Sequence, residues 1–440
     1  MKRCFSIALL LLLFSVSAQT FRAETPGDTL AARVISNDSA ESQAAIAALR
    51  ALGPPGLDRL FKAYALEINQ QVANPLLPAT AEWQRLTAAL DAVSQQKDAY
   101  LSGLYWYTDL REAQAAARAS GKPILSLRLL GKLSEEYSCA NSRFFRTVLY
   151  SNAEISQTLR EHFILHWESE RPAPRVTIDF GDGRKLERTL TGNSIHYVLD
   201  SRGRVVDALP GLYGPRAFLR SLNQIEAAAN ASGQLANHVA ATPYPMARLN
   251  AINVDWFSDI QKIGGKVPQG LFIARTTDGS PTAIQVAPLA MTKRITEANI
   301  LKSITAVPDW LNTITDEALW NKIAQLHIAD AELDARSLGL IRRQTQGALS
   351  TTGGMKDNEK TFAALVNKLQ QNIALDTVRN EYLLHTKLYG WFLEKDNREL
   401  TKLNRRVYSE LFLTPASDPW LGLFSPDVYT ALEGGGISRK

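Results

Sequence analysis

Residues 134–155 read SEEYSCANSRFFRTVLYSNAEI and contain Cys139, one of two cysteines in the chain; the other is Cys4. The stretch begins as a loop and turns into a helix, and its neighbours fix what surrounds it. Upstream, DLREAQAAARASGKPILSLRLL (109–130) is an amphipathic helix stopped by Gly121 and Pro123, then an apolar strand. Downstream, SQTLREHF continues as a helix and ILHWES as a strand. VTIDFGDGRKLERTL has two β-rich arms around Gly181-Asp182-Gly183, and SIHYVLDSRGRVVDALPG turns at DSRG, so both predict hairpins. GPRAFLRSLNQIEAAAN is a closing helix. A strand, a crossover helix and a strand, followed by an antiparallel hairpin and a helix, make an α/β sandwich.

At 440 residues the chain is too long for one ordinary core, so two or three domains are expected. A hydrophobic fraction of 45% and a charged fraction of 21% belong to a globular protein. The formal charge of +5 is mild, and no basic cluster interleaves with aromatics, so nucleic acid is not an expected partner. The first residues, MKRCFSIALLLLLFSVSAQTFRAE, carry Lys2 and Arg3, an apolar run from Ile7 to Phe14, and Val16-Ser17-Ala18 as a small-residue cleavage site. That is the pattern of a secretory signal over 1–18, too short to span a bilayer, with no membrane segment after it. The location expected is periplasmic or secreted. The mature chain would then hold one thiol and no internal disulfide, which is notable in an oxidising compartment.

Residues 19–40 are small and polar and read as a flexible lead-in. ESQAAIAALRALGPPGLDRLF predicts two helices broken at Gly53-Pro54-Pro55, and ATAEWQRLTAALDAVSQQKDAYLSGLYWY predicts one long helix. The helical N-terminal region thus covers 19–105, the sandwich 106–230, and a mostly helical region 231–440. Helices are expected at 296–306, 316–345, 358–390 and 398–412, with a mixed stretch at KVPQGLFIARTTDGSPTAIQVAPLAM and a disordered GGGISRK tail.

Residues 109–228 resemble a thioredoxin-like domain. ARASGKPILSL matches the family's entry to its first strand, Cys139 the first cysteine of CxxC, and SNAEI the turn beyond the helix. IHYVLDSRGRVVDALPGLYGPRAFL is similar to the family's closing hairpin and helix. The resemblance implies a central thioredoxin-like α/β sandwich flanked by two helical regions, with Cys139 at a helix N-terminus and Ser194 at the position of the family's cis-proline. The chain departs from the family where its chemistry lies. Ser142 replaces the second cysteine, Ser138 the preceding tryptophan, and the GKLSEEYS loop is longer than usual.

The positive end of a helix favours a thiolate, and Ser142, Arg143 and Arg146 stand within a turn or two. Without a resolving cysteine a dithiol cycle is excluded. What remains is monothiol work through a mixed disulfide or a sulfenic acid, with Cys139, Ser142, Ser194 and His196 as the catalytic candidates. The other reading is a buried cysteine in a degenerate CxxS site used for binding. His196 lies beside the thiol and His166 on a central strand, but no ligand spacing supports a metal, and no cofactor motif is present.

The C-terminal region holds DTVRNEYLLHTKLYGWF, where Glu381 and His385 are an i, i+4 pair. With Arg379, Asp418 and Arg405 they would line a cleft; otherwise they belong to a solvated, salt-bridged helix face. The function expected is non-catalytic binding of an unknown protein partner, with a monothiol redox or isomerase-like role as the alternative.

Overall fold

The structure is a computed structural model that describes residues 26–190, 193–231, 243–264, 317–350, 355–394, 398–412, 414–420 and 431. The signal segment, the 296–306 helix, the mixed stretch and the GGGISRK tail lie outside the described residues.

The lead-in is not featureless: Pro26–Arg33 is a helix (α1), and its Ala31 and the following Val34 are buried. Ser39–Ala51 (α2) starts at Asp38, whose carboxylate accepts the Ala40 and Glu41 amides, and Pro54–Ala63 (α3) begins with the proline pair. Proline fits a first turn because those N–H groups have no intrahelical acceptor. The two helices cross closely at Gly56, where an added Cβ would meet the Leu49 carbonyl carbon at 2.8 Å and its oxygen nearer still. Gly56→Ala should therefore destabilise the fold by about 1–3 kcal/mol in urea titration, against a propensity gain of at most ~1 kcal/mol. Ala65–Ala73 (α4) follows. The expected long third helix ends early. Ala81–Ser94 (α5) stops where Gln95 turns left-handed, a short turn Ala99–Ser102 (α6) follows, and Trp106–Tyr107 becomes a strand (β1).

The sheet has five strands in the order β1-β3-β2-β6-β7, from Ile124–Leu130 (β2), Ile164–Arg171 (β3), Ile195–Leu199 (β6) and Val205–Pro210 (β7). β1, β3 and β2 run parallel; β6 and β7 are antiparallel to their neighbours. Arg175–Asp179 (β4) and Lys185–Thr189 (β5) form a separate ribbon, the hairpin expected around Gly181-Asp182-Gly183. Leu110–Ser120 (α7) precedes β2, and Ala140–Phe144 (α8), a π turn at Phe145–Leu149 and Ala153–His162 (α9) connect β2 to β3. Pro215–Ala231 (α10) follows β7. This is a mixed α/β protein with helices on a five-stranded mixed sheet.

Strand alternation gives the sheet two different faces. Leu127 pairs with His196, so both point toward α8 and the π turn; Ser126 pairs with His166 and Tyr197 on the other face. Beyond α10 come Pro243–Lys262 (α11), Glu317–Leu326 (α12), Ala335–Ser350 (α13), Met355–Arg379 (α14), a π turn Asn380–His385, Thr386–Phe392 (α15) and Leu400–Arg406 (α16). The helix expected over 316–345 is broken: a 3-10 turn at Ile328–Ala331 separates α12 from α13, and Asp334 accepts the Ser337 amide. One apolar cluster joins the sheet to these helices, from Leu104 to Phe412, and a second holds the N-terminal helices together with Leu340 of α13.

Candidate functional site

Cys139 sits where β2 ends and α8 begins. Its amide donates to the Leu130 carbonyl at 3.0 Å, and Gly131 makes the turn at φ +74°, a left-handed conformation suited to glycine. The thiol reaches Ser194 Oγ at 3.1 Å and Ser142 Oγ at 3.5 Å, while Ser142 donates to the Cys139 carbonyl at 2.8 Å. The structure thus brings Cys139, Ser142 and Ser194 together. It also closes the group off: Cys139, Ser142, Ser194 and Ser138 all have 0% exposure.

The neighbouring charges are engaged elsewhere. Arg146 donates to the Glu135 carbonyl at 2.9 Å and the Leu133 carbonyl at 3.3 Å, so it stitches down the long 132–138 loop. Arg143 donates to Thr189 Oγ1 at 2.9 Å, holding the ribbon. Their expected role as positive charges serving the thiol is therefore replaced by a structural one. His196 shares a 2.6 Å hydrogen bond with Tyr150 Oη and lies between the rings of Phe145 and Phe218. Burial pushes its imidazole down to about 3, so it is neutral and bound to tyrosine. His166 shares 2.9 Å with Ser126 Oγ on the opposite face, so it does not meet Cys139 and His196.

The C-terminal pair is neither an exposed face nor a cleft with Asp418. His385 is wholly buried, and its partner is Asp207 of β7, a residue the sequence reading missed. His385 Nε2 lies 3.5 Å from Asp207 Oδ1, and its Nδ1 lies 3.8 Å from Glu381. Asp207 Oδ2 accepts from Tyr244 at 2.7 Å and Tyr389 at 3.0 Å, and Arg248 Nε reaches Tyr389 Oη at 3.2 Å. Tyr389 stacks on the imidazole with centroids 4.4 Å apart. Burial works against both charges, yet each stabilises the other: His385 rises to about 9, and Asp207 falls below the usual carboxylate range. Arg379 is buried with its guanidinium 5.7 Å from the Trp320 ring. Asp418 stands by β3, where its backbone oxygen takes Arg171 Nη1 at 2.9 Å. The sequence signal for Asp207 was a lone acid in the apolar alternation RVVDALPG.

A third polar group centres on Asp259, which accepts from Tyr382 at 2.6 Å and pairs with His327 at 2.5 Å. Asp259 and then Asp330 raise His327 to about 9, and Arg220 grips Asp330 at 2.9 and 2.8 Å. These contacts tie α10, α11 and the π turn of α14 together. Among the described residues no group of three or more His, Cys, Asp or Glu side chains is arranged to hold a metal ion, and no helix is long and apolar enough to cross a membrane.

The class these observations define is a mixed α/β protein with a buried, serine-bonded cysteine at the end of its central strand. Comparison with family models, curated proteins and solved structures finds no match.

Proposed function

We propose that this chain is an exported binding or scaffold protein built on a thioredoxin-like sandwich whose CxxS site no longer performs thiol chemistry. The fold part of the reading is supported by the succession of β1, α7, β2, crossover helices, β3, the β6–β7 hairpin and α10, and by Ser194 facing Cys139. The observation that carries the functional part is the burial of Cys139. A nucleophilic thiol must reach its substrate in line with the S–S or S–O bond it attacks. With no exposed surface, and with Ser194 and Ser142 in contact, Cys139 behaves as a small apolar residue with two hydroxyl partners.

The test compares proteins captured by the exported wild-type chain and by Cys139→Ser, each eluted with and without reductant. The binding reading expects the same partner set from both and nothing released by reductant alone. Partners held by wild type, freed by reductant and absent from Cys139→Ser would establish mixed disulfides and the monothiol alternative.

A further inference from the structure

The β4–β5 ribbon stands apart from the five-stranded sheet and pairs with no third strand among the described residues. Two backbone bonds fix which way its edges face. The Leu190 amide donates to the Pro174 carbonyl at 2.9 Å, and the Phe180 amide to the Arg184 carbonyl at 3.1 Å. The register between them is unbroken, so residues 174, 176, 178 and 180 turn their backbone polar groups into the ribbon. Those of Arg175, Thr177 and Asp179 therefore point outward, and all three residues are exposed. β4 contains neither a bulge nor a proline, so nothing in its backbone blunts this edge. One face of the ribbon is also left uncovered: Ile178 is 38% exposed and Phe180 55%, beside half-buried Val176 and Leu186. A two-stranded ribbon is marginal by itself and gains from further strands.

The edge of β4 is complementary to itself. In an antiparallel pairing about a two-fold axis at Thr177, Arg175 of each copy stands opposite Asp179 of the other. Thr177 then meets Thr177, and Val176 meets Ile178. Opposite charges and threonines directly across a ladder stabilise it, and like charges oppose it. Residues 175, 177 and 179 are also the ones with outward backbone groups, so each of these pairs exchanges two main-chain hydrogen bonds. Asp179 lies 3.2 Å from Lys185, and Arg175 lies over the Tyr137 ring at 4.4 Å. A second copy's Arg175 would extend the first of these pairs into a row of alternating sign. The edge of β5 has no such symmetry. Pairing about its centre sets Glu187 against Glu187, and Thr189 at its end is buried against Arg143 and the Ser138 carbonyl.

We propose that β4 is the interface for a second copy of this chain, the two ribbons joining edge to edge about Thr177 into one four-stranded sheet. Such a contact is isologous and closes at two copies. Main-chain bonding supplies affinity, as in other strand additions, and the Arg175–Asp179 pairs set the register. The inference goes beyond the binding reading above and makes no use of the thiol.

A five-residue edge belongs to the small, transient class of interfaces, so the test is sedimentation velocity of the full chain in reductant over roughly 10–500 µM. A concentration-dependent dimer is expected. Arg175→Asp and Asp179→Arg each set like charges opposite one another at both ends of the interface, and each should weaken the dimer about tenfold or more. Mixing these two variants should restore association to near the wild-type level, because opposite charges then meet at both ends. Thr177→Pro removes an outward N–H that the ribbon itself does not use, and should weaken the dimer by a similar factor. Should that variant misfold, the two exposed charge reversals and their mixture carry the test. A monomer at every concentration overturns the proposal, whether the edge takes a strand of another protein or a further segment of the same chain. A dimer indifferent to the charge reversals overturns it as well.

Discussion

Replacing Asp207 by Asn is expected to lower the free energy of unfolding by roughly 3–5 kcal/mol, the cost of leaving one member of a buried pair without its partner. His385 has no exposed surface and stays cationic because Asp207 and Glu381 face it. Around it Tyr244, Tyr389, Tyr213 and Arg248 fill the remaining positions, and Arg248 reinforces Glu381 from 3.9 Å. The carboxylate also accepts the Ala208 amide at 2.7 Å through Oδ1, a bond an asparagine oxygen can keep, but the asparagine Nδ2 cannot accept the Tyr244 and Tyr389 hydroxyls that Oδ2 holds. The same cluster sets a pH signature. The folded His385 value, about 9, lies above the ordinary imidazole value of about 6.5. Its stabilisation is therefore complete below about pH 6.5 and fades as pH rises through 9, amounting to about 3 kcal/mol over that window. Asp207 acts in the opposite sense: its stabilisation is present above the ordinary carboxylate range and fades as pH falls through its lowered folded value. His327 adds a second alkaline component, since Asp259 also raises it to about 9. Urea titrations at pH 7 and pH 10 on wild type, Asp207→Asn and His385→Gln separate the two. The alkaline loss should shrink in both variants and persist in part through His327.

Trp106→Ala should cost a comparable 3–5 kcal/mol, the range for truncating a large buried aromatic. Trp106 has 0% exposure and joins the N-terminal helices to the sheet. Its Nε1 donates to Gln96 Oε1 at 2.8 Å, its carbonyl accepts Arg50 Nη2 at 2.6 Å, and its ring stands 5.1 Å from that of Tyr150. As the edge strand, it pairs with Leu165 of β3. The alanine variant opens a cavity and leaves the buried Gln96 without this donor. Trp106→Phe keeps most of the volume and loses the hydrogen bond, so it should cost about 1–3 kcal/mol. Unfolding midpoints of the two variants, compared with wild type, give the order directly.

The strands of the sheet were legible because each is a short apolar run bounded by turn residues. ILSLRLL, ILHWES, SIHYVL and RVVDALPG all became strands, and the two hairpins turn at GDG and DSRG. Where local sequence and tertiary context conflicted, the reading failed. GLYWY continues a helical stripe, but Trp106 and Tyr107 are β-formers that find an unpaired edge at β3, and the helix yields. Glu381 and His385 show helical spacing whether they face water or a core. His385 is buried against Asp207, 178 positions upstream, while Glu381 stays partly exposed, and no periodicity reports such a partner. Arg128 was visible as a lone charge inside an apolar strand. Its salt-bridge partners, Glu168 and Glu170, lie on β3, and only the parallel register, which sets Arg128 opposite Glu168, brings them together. Around the thiol, the alignment behind the thioredoxin-like resemblance set Ser194 opposite Cys139, and the two are in contact. Burial could not be read from CANS, because it depends on the loop that Arg146 ties down.

The most direct measurement is the rate at which a maleimide reagent alkylates Cys139 in the native chain at pH 7, set against the rate in denaturant. A thiol with no exposed surface reacts only through opening of the structure, so the native rate should be suppressed at least about a hundredfold and should rise as urea promotes opening. Alkylation of the native chain at a rate near that of the unfolded chain, independent of low urea, would contradict a structural role for Cys139 and make the site a working monothiol.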